Sequence, residues 1–316
     1  MPGDLRIGIL AGGSSSEREI SLRSGRAVKK ALAACGISTA FLDPRDESRF
    51  QSALRRIDLA FIALHGSGGE DGVVQARLEK NKIPYVGSDP AGSRLAFDKL
   101  LAKKLFQKAG IPTPPYAVIR YPDWREKLSA FPVPFVIKPL REGSSVGVFI
   151  VEDLGRAAEK IRQSLREYGE LLAEKKIEGR EFTVGILGDK ALPVIELVPK
   201  RSFYDYRAKY TKGLTEYRVP APIPAALERR LRRLALRVHR TLGLRDFSRT
   251  DLMLDRGGNP YVLEANSIPG FTELSLVPKA ALAAGISFEN LCCRLVAMAH
   301  GRAKRNGMHP NGRKKP

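Results

Sequence analysis

The sequence predicts an α/β protein of several domains, opening with a doubly wound domain. Three observations lead there. Residues 5–11 form an apolar run, Gly12-Gly-Ser-Ser-Ser16 a turn, and residues 17–34 carry the period of a helix; strand, glycine turn and helix are the start of a doubly wound sheet. Strand-like runs recur at residues 39–43 and 59–64. Late in the chain, residues 249–255 and 260–266 alternate apolar and polar side chains around Gly257-Gly258, the pattern of an antiparallel hairpin. The 316 residues allow two or three domains, and a 43% hydrophobic content supplies their cores.

Composition narrows the class. No run approaches the roughly 20 apolar residues of a membrane span, and Met1 leads within a few residues into a strand, so no membrane association and no signal peptide are expected. Three cysteines, Cys35, Cys292 and Cys293, show neither metal spacing nor a disulfide framework. The expectation is a cytoplasmic enzyme. The formal charge of +20 is the oddity. Six of those positive charges lie in residues 301–316, which carry no acid and no apolar period and are expected to be a disordered basic tail. Six arginines fall in residues 226–244, a helix-like segment whose arginines read as a solvated face. No nucleic-acid module accompanies the charge, so no specific nucleic acid is expected as partner.

Taken in order, the elements place candidate ligand groups at strand ends. The turn at residues 12–17 lacks the third glycine of a dinucleotide fingerprint, and Glu17 would repel a pyrophosphate there; it suits a positively charged group instead. Residues 59–64 end in His65-Gly-Ser-Gly-Gly-Glu-Asp-Gly72, whose glycines let the backbone approach a ligand. A short strand lies at residues 84–87. One helix is expected over residues 89–110, with Pro90 early and Gly110 at its end, and on it Lys99 looks solvated. Lys138 ends a strand at residues 133–139 and precedes the Gly/Ser-rich loop that contains Ser144, an arrangement able to clamp phosphates with charge and N–H groups. A strand (171–176) carries Glu174, and Glu181 starts another; either carboxylate can accept ribose hydroxyls, and either could be a plain surface acid. Residues 203–222, aromatic and charged without a period, read as a lid.

The hairpin organises the rest. With the turn centred on Gly257-Gly258, Asp251 faces Glu264 and Arg249 faces Asn266, so all four share one side of the sheet. Three oxygen donors beside a guanidinium suit magnesium and a phosphorylated ligand. The competing reading is a surface hairpin with a cross-strand ion pair.

The motifs, quoted in order, resemble the D-alanine–D-alanine ligase family of the ATP-grasp superfamily: Gly12-Gly-Ser-Ser-Ser-Glu-Arg-Glu-Ile-Ser-Leu-Arg-Ser-Gly25, Ala63-Leu-His-Gly-Ser-Gly-Gly-Glu-Asp-Gly72, Lys138 to Gly147, Glu181-Phe-Thr-Val184, Phe203 to Tyr210, Arg249-Thr-Asp251 and Leu263 to Gly270. Any one is moderately specific; the ordered set, running from residue 5 to about residue 300, is highly so. The resemblance implies an ATP-grasp fold with an N-terminal doubly wound α/β domain (1–88), a small central α+β domain (89–180) and a C-terminal α+β domain (181–300). It implies ligation of two D-alanines with ATP, through a D-alanyl phosphate, for cell-wall peptidoglycan, by a homodimer. It further implies two Mg2+ or Mn2+ ions on Asp251, Glu264 and Asn266; ATP contacts from Lys99, Lys138, Glu174, Glu181 and Lys209; and D-alanine contacts from Glu17, His65, Ser275 and Leu276. Arg249 and the Gly270 N–H would stabilise an oxyanion, and Glu17, Ser144 and Tyr210 would form a set joining the domains. Ser267 stands where the family more often has threonine. The rivals are an ATP-grasp ligase with another second substrate, a silent ATP-binding regulator, and a basic nucleic-acid-binding protein.

Overall fold

Among the described residues, three sheets and three cores build the fold. The computed structural model describes residues 5–199 and 215–307; Lys209 and Tyr210 lie outside them. The first sheet comprises β1 (Ile7–Leu10), β2 (Thr39–Leu42), β3 (Leu59–Ile62) and β4 (Tyr85–Val86), all parallel in the order β2-β1-β3-β4. β1 and β3 are buried along their whole length, which is why they read as unbroken apolar runs. The crossovers contain α1 (Arg18–Ala34), α2 (Glu47–Leu54) and α3 (Val73–Lys80). Strand order reverses between β1 and β3, so the Gly12 turn and the His65 loop leave the sheet side by side at the crevice such a reversal creates.

The expected helix over residues 89–110 is two helices, α4 (Pro90–Phe97) and α5 (Lys99–Lys108). Asp98 breaks it: its backbone is extended (φ −84°, ψ 103°), and its carboxylate accepts the N–H groups of Leu100 and Leu101, each at 3.1 Å. That is an N-cap, and it restarts the helix at Lys99. Ala96, Ala102, Phe106 and Ile111 pack in the core beneath the third sheet, so residues 90–111, expected to open the central domain, belong by packing to the C-terminal one. The central body holds β5 (Tyr116–Ile119), β6 (Phe135–Pro139), β7 (Phe149–Val151) and β8 (Leu171–Lys175), antiparallel in the order β5-β8-β6-β7. Helices α6 (Trp124–Ser129) and α7 (Leu154–Tyr168) close its core over Phe135 and Ile137.

The third sheet comprises β9 (Gly179–Leu187), β10 (Lys190–Ala191), β11 (Ile195–Pro199), β12 (Thr215–Arg218), β13 (Phe247–Asp255) and β14 (Pro260–Asn266). They run β12-β11-β9-β13-β14, with β10 on β9. β12 falls inside the stretch expected to be a lid, and its backbone is paired to β11, so the end of that stretch is sheet. One face of the sheet packs Phe182, Val184, Leu252, Leu254 and Val262 against α8 (Ala225–Thr241) through Leu231, Leu234 and Val238. Arg229, Arg230, Arg233, Arg237 and Arg240 lie exposed on α8, as a solvated face requires. The other face carries the site, and beside it Gly185 packs against Val277 of the helix Leu276–Ala283.

The chain then returns to the first sheet. Helices α9 (Leu276–Ala283) and α10 (Phe288–Arg305) share its core through Val277, Ala281, Leu291, Leu295 and Val296. α10 overruns the expected start of the disordered tail, and Arg302 shows why. Its guanidinium forms an ion pair with buried Asp246 and donates from Nη2 to Asp246 Oδ2 (3.0 Å) and to the Tyr85 carbonyl (2.7 Å). Asp246 also accepts the Gly87 N–H at 2.7 Å. A buried carboxylate needs such partners, and here they join the first sheet, the third sheet and the last helix. Residues 308–316 lie outside the described residues. Among the described residues no single helix is long and apolar enough to cross a membrane. Arg302→Ala, which leaves the Asp246 charge buried with only a backbone donor, should lower stability by about 3 kcal/mol; a urea midpoint equal to wild type would show that the ion pair does not hold the domains.

Candidate active site

The site begins with strand periodicity. On β13, Thr250 and Leu252 point into the core while Arg249 and Asp251 point away. Arg249 lies opposite Asn266, and Asp251 opposite Glu264, on β14. On the other flank, Thr183 of β9 lies opposite Asp251. The expected facing pairs are therefore present, but the expected turn is not. The connection is residues 256–259, with Leu254 paired to Pro260, the Asp255 N–H donating to the Asn259 carbonyl at 3.0 Å and Asp255 Oδ1 accepting the Asn259 N–H at 2.7 Å. Gly258, at φ 79°, provides its left-handed residue. This shifts the register by one residue, and a bulge between Asp251/Leu252 and the opposite strand shifts it back.

Asp251 gathers the donors. Arg249 binds it as a fork, Nε to Oδ1 at 2.9 Å and Nη2 to Oδ2 at 2.7 Å. Thr183 Oγ1 donates to Oδ1 at 2.6 Å, and Asn266 Nδ2 to Oδ2 at 3.2 Å. Glu264 stands beside them, its Oε2 3.9 Å from Lys99 Nζ. Two carboxylates and an amide on one half-buried face are hard oxygen donors. They are too few to complete six-coordinate magnesium alone, and they suit an ion whose other ligands are phosphate oxygens and water. No cluster of three His, Cys, Asp or Glu able to hold a resident metal occurs among the described residues.

The lysines come from two bodies: Lys99 and Lys103 from α5, packed beneath the third sheet, and Lys138 from the central sheet. Lys99, expected to be solvated, is buried at the first turn of α5 because Asp98 caps that turn; Nζ donates to the Glu142 carbonyl at 2.5 Å, and the Lys99 N–H to the Leu140 carbonyl at 3.0 Å. The start of α5 is thus fastened to the Gly/Ser loop, and Arg141 Nε adds a bond to Asp98 at 2.8 Å. Lys138, at the end of β6, forms an ion pair with Glu174 of β8. The second oxygen of Glu174 accepts from Lys103 Nζ at 2.6 Å. Lys103 was not legible as a site residue, although it follows Lys99 by four positions and lies on the buried stripe of α5 with Ala102 and Phe106. Its ammonium also donates to Thr113 Oγ1 at 2.6 Å, and burial pushes its pKa down to about 8, opposed by the Glu174 charge. Glu181 lies on the site face of β9, opposite Met253, on the same side as Thr183.

The third wall is the first sheet. Glu17 is buried at the start of α1 and accepts from Ser144 Oγ, which joins the N-terminal domain to the Gly/Ser loop. A Cβ on Gly143 would stand 2.5 Å from Glu17 Oε2, so a side chain there would have to push the Glu17 carboxylate aside. His65 is buried, with Nδ1 3.0 Å from the Ile268 carbonyl and Nε2 2.9 Å from Ser24 Oγ. A carbonyl can only accept, so Nδ1 carries a proton, and in the neutral ring Nε2 then accepts from the Ser24 hydroxyl. Ser24 Oγ in turn accepts the Phe271 N–H at 3.2 Å. His65 therefore fastens the loop that holds Gly270, and Phe271 anchors it against the rings of Phe61, Phe247 and Phe288, 5.3–5.7 Å between centroids. Past Gly270, Ser275 Oγ accepts the Thr272 N–H at 2.9 Å, and Leu276 opens α9.

A glycine-loop sheet and a carboxylate-bearing sheet facing each other across a phosphate site are the mark of the ATP-grasp fold, and to that class of enzymes this chain belongs. Its residues 105–297 match the family described as D-ala D-ala ligase C-terminus, and residues 36–88 match D-ala D-ala ligase N-terminus. It is 44% identical over 301 residues to the D-alanine–D-alanine ligase of Methylacidiphilum infernorum, covering 95% of this chain and 97% of that one. To the ligase of Geotalea uraniireducens it is 45% identical, covering 93% and 95%. The crystal structure of the Bacillus anthracis D-alanine–D-alanine ligase complexed with ATP superimposes with a TM-score of 0.83 at 32% identity, over 96% of this chain and all of that one. The VanG D-Ala:D-Ser ligase of Enterococcus faecalis superimposes with a TM-score of 0.82 at 28% identity, over 94% and 99%. The chain is a member of the D-alanine–D-alanine ligase family.

Ser24→Ala removes the group that serves both His65 and the Phe271 N–H. Turnover should fall about tenfold in a folded protein, because small misplacements of a positioned group weigh heavily on rate; unchanged turnover would show that the 267–272 loop is held without Ser24.

Proposed function

We propose that the chain joins two D-alanines with ATP, giving D-alanyl-D-alanine, ADP and phosphate, and so supplies peptidoglycan synthesis from the cytoplasm as a homodimer. The observation that carries this reading is the set Arg249, Asp251, Glu264 and Asn266 on one face, opposite Lys99 and Lys138. A carboxylate is a poor electrophile because oxide would have to leave; transfer of the γ-phosphoryl gives it a leaving group, and that transfer needs positioning and charge neutralisation more than covalent help. Asp251, Glu264 and Asn266 would hold two Mg2+ or Mn2+ ions, whose chemistry is to neutralise the phosphate oxygens. Lys99 and Lys138 bind the α and β phosphates, and Lys209 the γ phosphate. Glu181 serves the adenosine side; Glu174, expected there as well, is buried with one oxygen on Lys103 and the other on Lys138, so it holds the two lysines instead.

The second D-alanine then attacks the acyl phosphate with its amine. The carbonyl carbon becomes tetrahedral, its oxyanion is met by Arg249 and the Gly270 N–H, and phosphate departs as the amide forms. Glu17 holds the ammonium of the first D-alanine, with His65 nearby. Ser275 and the first N–H groups of α9 at Leu276 receive the carboxylate of the second. Tyr210, with Glu17 and Ser144, orients its amine. The Glu17–Ser144 contact supports two members of that set.

The test is phosphate release with a panel of D- and L-amino acids and D-lactate, with products identified by mass. D-alanyl-D-alanine as the main product supports the reading; a predominant D-alanyl-D-serine or D-alanyl-D-lactate product would replace the second substrate. Glu264→Gln should cut ligation by at least about a hundredfold while the protein stays folded, since several kcal/mol of charge stabilisation at the phosphoryl group depend on it. Near-normal turnover in that variant would overturn the placement of the metal ions.

A further inference from the structure

Lys103 is the one lysine completely buried in the described structure, at 0% side-chain exposure, and none of the roles above uses it. Its surroundings are specific. Nζ donates to Glu174 Oε1 and to Thr113 Oγ1, both at 2.6 Å, and lies over the Tyr116 ring, 5.5 Å from its centroid. Thr113 Oγ1 passes the contact on to the Val262 carbonyl of β14 at 2.8 Å. Glu174 is buried too, and its other oxygen holds Lys138. One carboxylate thus stands between two ammonium groups, drawn from three elements: α5, β6 and β8.

The charges decide what this arrangement does. A lone Glu174 would neutralise Lys138, and a neutralised pair attracts phosphate weakly. Adding Lys103 leaves the triad with one net positive charge, and only Lys138 of the two lysines touches solvent at all, at 9% side-chain exposure. A purely structural reason for the buried pair is weak, because well-packed apolar residues in place of both partners are often at least as stable.

We propose that Lys103 is a positioning residue for the nucleotide: it neutralises Glu174 from behind, so that Lys138 keeps its positive charge and its place for the phosphates. The inference deepens the ligase reading and rests on it. Lys103 touches neither phosphate nor substrate; it acts through Glu174.

The experiment is a double-mutant cycle on ligase kinetics in the full chain, using Lys103→Met, Glu174→Gln and the double variant. In the wild-type background Lys103→Met should raise KM for ATP about tenfold, with KM for D-alanine within about twofold and kcat less affected than KM. In the Glu174→Gln background, where there is no carboxylate charge to neutralise, the same change should alter KM for ATP by less than about threefold. The double variant buries no unpaired carboxylate, so it remains measurable even where the single variant folds poorly; thermal melting checks each protein. Equal effects of Lys103→Met in both backgrounds, or equal losses for ATP and D-alanine, would overturn the proposal. Absence of D-alanine-dependent phosphate release in wild type would instead strike the ligase reading.

Discussion

Asp251 is where the third sheet and the site become one object. Its carboxylate accepts from Thr183 on β9, from Arg249 on its own strand and from Asn266 on β14. Backbone pairing aligns those strands, but the side-chain set fixes how their outward groups converge. Each bond is charge-assisted and half-buried, the condition in which such bonds are stronger than neutral ones. Arg249 is held by the same carboxylate that is proposed to hold a metal ion. On that proposal the guanidinium and the ion would stand at adjacent places, as transfer of a phosphoryl group to a carboxylate requires.

The hairpin also shows how far sequence reading reaches. Alternation at residues 249–255 and 260–266 defines two faces without reference to any turn, and the facing pairs Arg249/Asn266 and Asp251/Glu264 are the observed ones. The turn assumed to produce them is different. Asp255 closes a longer loop with its side chain, and a bulge near Asp251 compensates for the shift. Local chemistry could have warned of this: Asp255 and Asn259 are both residues that hydrogen-bond their own turn backbone. A one-residue slip without the bulge would have turned Glu264 into the core. The motif survives because face, not turn, is what the strand pattern specifies.

What the sequence concealed is mostly long-range. Asp98 was visible as an acid inside a helical pattern; only its extended backbone turns it into a cap, buries Lys99 and bends the chain toward the Gly/Ser loop. Ser24 and Lys103 sit on buried stripes of α1 and α5, where a polar residue is the available signal, and their partners lie far along the chain. Arg302 looked like part of a basic tail because composition cannot show a carboxylate waiting at residue 246. In each case a buried charge or hydroxyl is tolerated because another domain supplies its partner. Those partners make the three bodies one site, and they are the contacts that no local period encodes. Other features, the motif order and the parallel opening sheet among them, follow from patterns only a few residues wide.

The charge layout gives the proposed reaction its direction. Glu17, an acid, occupies the N-terminal wall; Lys99, Lys138 and Arg249 occupy the walls formed by the other two bodies. An amino acid entering between them is a dipole, and its ammonium is drawn to Glu17 while its carboxylate is left toward the cations. The carboxylate is the end that must meet the γ-phosphoryl group. With the opposite orientation, an ammonium would lie among lysines and an arginine at short range, where like charges repel by several kcal/mol in a medium poorer in water than bulk solvent. In the proposed reaction the acid at the start of α1, which disqualified that turn as a nucleotide site, is thus the group that selects which end of the substrate faces the nucleotide.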